Sequence, residues 1–239
     1  MAILSANNVT KSFLFRKEVI TVLKELNLEL LPGEFISIVG ASGCGKTTLL
    51  ELFAGLTLPD KGEIYYMDKK ITGKTGFLGY MPQNDLLFPW LKVMDNILLP
   101  AKVKGLNIKE EKEKARSLLP IFGLESYENH LPWQLSGGLR QRVALARTCM
   151  TGSKVWLLDE PLANLDAITR MSLQDWLMSV VKSLELSVIL VTHDIDEALY
   201  LSHRIELMKD GVFHKSIYVT GEENEAEKTK LKERIRQLL

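Results

Sequence analysis

The stretch Gly40-Ala41-Ser42-Gly43-Cys44-Gly45-Lys46-Thr47 constrains this chain more than any other. Ahead of it runs Phe35-Ile36-Ser37-Ile38-Val39, a short apolar run that reads as a buried strand. Behind it, Thr48 to Ala54 reads as a helix ended by Gly55. Strand, glycine-rich loop and helix form the context that a G-x-x-x-x-G-K-[ST] pattern needs. The glycines let backbone N–H groups turn inward around a polyphosphate, and the helix N-terminus adds its dipole. Gly40, Ala41, Ser42, Gly43, Cys44, Gly45, Lys46, Thr47 and Thr48 are therefore the candidate nucleotide cradle. Lys46 would reach the outer phosphates, and the Thr47 hydroxyl would ligate Mg²⁺. A second Gly-Lys-Thr, Gly73-Lys74-Thr75, lacks this context. Asp68 stands where its first glycine should be and no apolar strand precedes it, so it reads as a surface turn.

A chain of 239 residues makes one large domain or two modest ones, with ample material for a core. Lys+Arg and Asp+Glu balance at 30 each, which gives no sign of a nucleic-acid or anionic-membrane partner. Two cysteines, Cys44 and Cys149, make no disulfide framework and suit a reducing compartment. Met1 to Ser5 lacks the basic-then-apolar pattern of a signal peptide, and no run of 18 apolar residues exists to span a membrane.

Taken in order, residues 3–30 are short β-like pieces, with apolar–polar alternation from Leu26 onward. Pro32-Gly33 turns into the strand before the phosphate loop. Strands are expected again around 63–66 and across 76–83. From 84 to 150 glycine becomes sparse and charge runs appear, such as Lys109 to Lys114, which reads as a solvated helix face in a mostly helical insert. From 151 the alternation resumes. Val155-Trp156-Leu157-Leu158 and Ser187 to Val191 are buried strands, and Leu173, Trp176, Leu177, Val180, Val181 and Leu184 recur at helical spacing between them. Such alternation predicts an α/β fold with a mostly parallel sheet and helices on both faces. In the charged tail, Leu231, Ile235, Leu238 and Leu239 fit one helical stripe, and the tail is expected to pack on the body or fray rather than to do chemistry.

The apolar strand from Val155 leads straight into Asp159-Glu160-Pro161. An acid ending a buried strand is where a P-loop protein holds Mg²⁺, here Asp159. Glu160 is placed to polarise a water against the γ-phosphate. Upstream, Leu135-Ser136-Gly137-Gly138-Leu139-Arg140-Gln141-Arg142 opens a helix in which Leu139, Val143, Ala146 and Met150 share a face. A Ser-Gly-Gly helix start is a second anion site. This stretch resembles the signature of ATP-binding cassette (ABC) ATPases.

The resemblance spans roughly residues 3 to 215 and implies the following. The fold is a P-loop NTPase (RecA-like) core with an N-terminal antiparallel β subdomain and an inserted helical subdomain. Residues 1–83 and 151–220 form the core, 84–150 the insert with the signature, and 221–239 a short tail. Two cassettes pair head to tail, so Ser136, Gly137, Gly138 and Gln141 of one meet the ATP held by the other. Phe13 resembles the aromatic that stacks on adenine, which in many members is Tyr. Gln83 resembles the glutamine that contacts Mg²⁺ and the attacking water. Asn164-Leu165-Asp166 resembles the D-loop; its earlier positions depart from the usual Ser-Ala-Leu-Asp, while Asp166 fits. His193, after a buried strand, resembles the switch histidine that senses the γ-phosphate. The family's cofactors are ATP and Mg²⁺.

With one cassette and no spanning segment, any membrane part is a separate chain; the arrangement resembles bacterial uptake transporters, which implies a transmembrane permease partner and a place on the cytoplasmic face of the membrane. The segment Leu86-Leu87-Phe88-Pro89-Trp90 falls where a permease helix docks in the family, and Phe88 and Trp90 would make good anchors. The wording there and at Ser136 to Arg142 resembles importers of the nitrate/sulfonate/taurine type, whose relatives also serve thiamine-precursor pyrimidines. Such importers use an extracytoplasmic solute-binding protein. Two alternatives stand beside uptake: a cassette for export or lipoprotein release, and a soluble cassette acting on nucleic acid or ribosomes. The balanced charge and single cassette count against the last.

Overall fold

The strand ahead of the phosphate loop, β3 (Phe35–Val39), is buried at every residue. In the computed structural model, which describes residues 1–163, 165–221 and 225–239, it lies inside a six-stranded sheet. Its neighbours are β8 (Ser187–Thr192) on one side and β9 (Arg204–Lys209) on the other. β7 (Val155–Asp159) and β6 (Gly79–Met81) continue beyond β8, and β10 (Val212–Tyr218) closes the edge beyond β9. Every neighbouring pair is parallel except β9 with β10. A parallel sheet is covered on both faces, which is why its strands read as unbroken apolar runs.

The period of two sorts these runs into two cores. Ile36, Ile38, Val155, Leu157, Ile189 and Val191 point to one side. There they meet α1 (Lys46–Phe53) and a second, antiparallel sheet. That sheet has the order β2 (Glu18–Leu30), β1 (Leu4–Phe15), β4 (Lys61–Tyr66), β5 (Lys69–Lys70). Phe35, Trp156, Leu158, Val188 and Leu190 point to the other side, onto helices of the insert and α6 (Ala167–Ser183). The expected apolar face of α6 is seen in buried Leu173, Leu177, Val180 and Val181.

Residues 84–150 carry α2 (Val93–Ile97), α3 (Leu99–Val103), α4 (Ile108–Phe122) and α5 (Gly137–Cys149), with no strand among them. Asn107 caps α4 by accepting the Lys109 N–H, and Gly123 ends it at a φ of 64°. Two elements are shorter or shifted relative to the sequence reading. β6 covers only Gly79–Met81, because Pro82 has no N–H for the ladder. α1 starts at Lys46, two residues earlier than expected, because Gly45 takes the left-handed conformation at its cap.

Past α7 (Ile195–Leu201), the tail forms α8 (Glu225–Leu238). Its Ile235 is fully buried against Ala198, Ile205 and Leu207, and Leu231, Leu238 and Leu239 pack beside it. The stripe expected in the tail is what fastens it to the body.

Candidate nucleotide-binding site

The phosphate loop is shaped by what lies behind it. A Cβ on Gly40 would sit 2.3 Å from the Met208 carbonyl oxygen on β9, so only glycine lets the loop leave β3 here. Gly45 has a φ of 109°, and a Cβ there would come within 2.8 Å of Leu23. The antiparallel sheet thus presses on the loop from the other side. Lys46 opens α1, and its ammonium donates to the carbonyls of Gly40 at 2.7 Å and Ala41 at 2.9 Å. The loop is therefore closed on its own lysine, and Ser42 and Gly43 face solvent.

Behind Thr47 lies Asp159, the last residue of β7 and buried. Burial pushes its carboxyl above the usual range, the Thr47 hydroxyl pulls it down, the Glu160 charge pushes it up, the Lys46 ammonium pulls it down, and the Glu51 charge pushes it up again. Burial also raises the Tyr80 phenol strongly, helped by the same Asp159 and Glu51 charges. Asp159 and Thr47 together offer hard oxygen donors, the kind that suit Mg²⁺. No group of three His, Cys, Asp or Glu gathers anywhere among the described residues. Mg²⁺ needs no such group, since it takes one or two protein oxygens and completes its shell with phosphate and water.

Glu160 is held in an unusual posture. Its φ is 45°, which a residue with a side chain adopts only under constraint. The constraint is visible: its N–H donates to the Val191 carbonyl at 2.9 Å, tying it to the end of β8. Its Oε2 accepts from Gln83 Nε2 at 3.3 Å and lies 3.2 Å from His193 Nδ1. Three residues that are 77 and 33 positions apart in the chain thus meet at one carboxylate oxygen.

A cleft of about 620 Å³ joins these parts. Phe13, Ser42, Gly43, Gly45, Lys46, Thr47, Thr48, Gln83, Glu160 and His193 all line it, together with Val22. Phe13 is 40% exposed near the end of the β1–β2 hairpin, with the Lys11 ammonium 5.2 Å from its ring centroid. An aromatic face left open to solvent beside a phosphate loop is a platform for a base. Val22 carries no mark in the sequence, where it is one apolar residue in a strand. It reaches the cleft because the hairpin pairs Phe13 with Ile20, two residues before Val22, and shifts register between Lys11 and Ser12.

The signature residues lie apart from this cleft. Ser136 caps α5 by accepting the Leu139 N–H at 3.3 Å, which leaves its own hydroxyl proton to donate elsewhere. Gly138 is small because α6 is close: a Cβ would meet Thr169 Cγ2 at 3.1 Å. Gly137 and Gln141 line a second cavity of about 200 Å³ with Gln83, Asp85 and Leu165. Asp166 caps α6, accepting the Thr169 N–H at 3.0 Å. Asn164 lies outside the described residues. Two arginines of α5 reach the segment after Gln83. Arg140 binds the Asp85 carboxylate at 3.2 Å, and Arg147 donates to the Leu86 carbonyl at 2.8 Å and to that of Asp85.

Cys44 offers a direct chemical probe. Its thiol is partly exposed and 3.9 Å from the Lys46 ammonium, whereas burial pushes the Cys149 thiol up to about 11. N-ethylmaleimide is expected to modify Cys44 first, abolish nucleotide binding, and be held off by ATP. Cys44→Ser should resist the reagent; equal sensitivity would remove Cys44 from the site.

The family described as "ABC transporter" matches residues 23–163, more than half of the chain. An aliphatic sulfonates import ATP-binding protein, SsuB of a Bacillus cereus strain, is 41% identical over 89% of this chain and 84% of its own length. A formylaminopyrimidine import ATP-binding protein, ThiZ of Halalkalibacterium halodurans, is 38% identical over 91% of this chain and 90% of its own. A solved ATP-binding cassette, dimeric and bound to ADP and Pi in a post-hydrolysis state, superposes with a TM-score of 0.79. It is 33% identical and covers 91% of this chain and 99% of its own. Fold, cleft and relatives agree, and the chain belongs to the ABC transporter family as an ATP-binding, ATP-hydrolysing subunit.

Proposed function

We propose that this subunit sits on the cytoplasmic face of a membrane and energises uptake of a small solute of the sulfonate or pyrimidine class. The single observation that carries the docking half of this reading is an exposed aromatic stack. Phe88 and Trp90 are 41% and 72% exposed, with ring centroids 5.2 Å apart, beside Leu86 at 61%. The stack is held rigid from below. Fully buried Asn96 accepts the Phe88 N–H at 2.8 Å and donates to the carbonyls of Phe88 and Leu91. Pre-ordered exposed aromatics are the anchors that protein interfaces favour. No helix among the described residues is long and apolar enough to cross a membrane, and in this reading the spanning helices belong to a separate permease. The import direction rests on the relatives, two of which are import proteins, and implies an extracytoplasmic solute-binding protein.

In this reading two subunits pair head to tail. Phe13 and Val22 seat the adenine, and residues Gly40 to Thr48 with Lys46 hold the phosphates. Ser136, Gly137, Gly138 and Gln141 of the opposite subunit close on the γ-phosphate, and Asp166 fixes the segment between them. Thr47, Gln83 and Asp159 would hold Mg²⁺, which when bound neutralises charge on the phosphates. Glu160 accepts a proton from the attacking water, held in place by Gln83 and His193. His193 keeps Glu160 oriented and reads the γ-phosphate. Closure drives the permease between its two facing states, and hydrolysis reopens the pair.

The test is co-purification from gently solubilised membranes of the native host. The wild-type subunit is expected to bring down a multi-spanning protein. The Phe88→Ala/Trp90→Ala double variant should lose it at least about 10-fold, with ATP binding by the isolated subunit unchanged. Equal recovery by both, or a wild type found alone or with ribosomes, would overturn the docking assignment.

A further inference from the structure

His193, which lines the cleft, also walls a small cavity of about 20 Å³ with Arg170, Thr192, Asp194 and Glu197. Glu197 lies in the first turn of α7 and is 4% exposed. The Thr192 hydroxyl lies close enough to favour the charged form of the Glu197 carboxyl, while Glu197 Oε1 has no hydrogen-bond partner among the described residues. Across the same cavity Arg170 of α6 has a buried Nε in the same condition. The other two guanidinium nitrogens are engaged: one donates to Asp194 Oδ2 at 3.2 Å and the other to the Leu165 carbonyl at 3.0 Å. An unpaired acceptor and an unpaired donor thus belong to residues lining one space, which is large enough for a single water.

We propose that Glu197 is a positioning residue for ATP hydrolysis: through Arg170 it sets how firmly the Leu165 backbone and Asp194, and with them His193, are held. While the carboxyl keeps its proton it makes only neutral hydrogen bonds, and Arg170 stays on Leu165 and Asp194. When the proton leaves, a buried negative charge competes for the same guanidinium and loosens its grip on both. The charged groups that face Glu197 are Arg170 on α6 and His193 and Asp194 in the β8–α7 link. β3, which packs under α7, brings no charged residue, and Lys232 of α8 is engaged with exposed Asp196. Burial pushes the Glu197 carboxyl from its ordinary 4.5 up to about 7, so the change falls in the working range of pH. The folded chain therefore binds this proton more tightly than the unfolded one. The stability it contributes is whole below 4.5 and is lost as pH climbs through 7.

This inference rests on the proposed role of His193, and its test is read separately. ATPase rates of wild type and Glu197→Gln are compared from pH 6 to pH 8.5. The amide copies the protonated carboxyl, so the ratio of variant to wild-type kcat is expected to rise about 10-fold or more across that range. The melting temperature of the variant should gain on that of wild type over the same interval. Arg170→Gln should also lose the wild-type fall in rate with pH, which keeps the test alive if Glu197→Gln does not fold. A ratio that stays constant, or an Arg170→Gln enzyme with the wild-type profile, overturns the proposal. His193→Ala is measured alongside: normal turnover there would remove the switch histidine, whereas the Glu197 ratio does not depend on that variant.

Discussion

Glu160→Gln is expected to lower kcat by about 10²- to 10⁴-fold, the usual worth of a positioned general base. The substitution keeps the shape of the side chain and removes only its basicity. It leaves the backbone tie to Val191 intact, so the φ of 45° persists and the variant should fold. ATP binding uses other groups and should survive. An enzyme that binds ATP, closes and fails to hydrolyse it accumulates in the closed form. Light scattering in MgATP should therefore report a dimer for Glu160→Gln, where wild type shows a mixture that decays with turnover. A variant that remains monomeric and hydrolyses at the wild-type rate would strip Glu160 of its role.

Lys46→Ala should act earlier, at binding. Among the described residues its ammonium is the one lysine or arginine cation lining the cleft, and a charge-assisted hydrogen bond to phosphate contributes about 1.5–3 kcal/mol. Its loss should weaken ATP binding about 10- to 150-fold and reduce turnover further. The same ammonium ties the carbonyls of Gly40 and Ala41, so the loop also loses its internal brace. Thermal shift separates the two effects. If ATP still raises the melting temperature of the variant as it does for wild type, Lys46 does not bind phosphate. Unchanged turnover would take the phosphate loop out of the mechanism altogether.

The parts of this site that could be read from sequence were those whose chemistry demands a fixed local spacing. The Gly40–Thr47 loop, the acid pair after an apolar run and the Ser-Gly-Gly helix start each carry their geometry in consecutive residues. Gln83 and His193 have no such local mark and entered through resemblance alone; the structure brings both to Glu160 Oε2. The parallel core was legible because strands covered on both faces read as mostly apolar runs, as in β3, β7 and β8, with only an occasional buried polar residue such as Ser37. The tail stripe was legible because Ile235 recurs at helical spacing with Leu231 and Leu238. What stayed hidden depends on packing across long loops. Val22 is placed by strand register, Glu197 by the fit of α7 against α6, and Arg140 and Arg147 by the return of the chain after Gln83. Arginines on a helix read as solvated charge unless one knows what carbonyls lie opposite.

Those two arginines carry a mechanical consequence. They rivet the segment bearing Phe88 and Trp90 to α5, the helix capped by Ser136. In the proposed docking arrangement, a push on the aromatic stack would reach the signature end of α5 through Arg140 and its last turn through Arg147. In the head-to-tail pair proposed above, the signature end would meet the neighbour's nucleotide. Each half of a permease would then have its hand on the ATP across the axis, and the two strokes would be crossed, as reins cross to steer the opposite side.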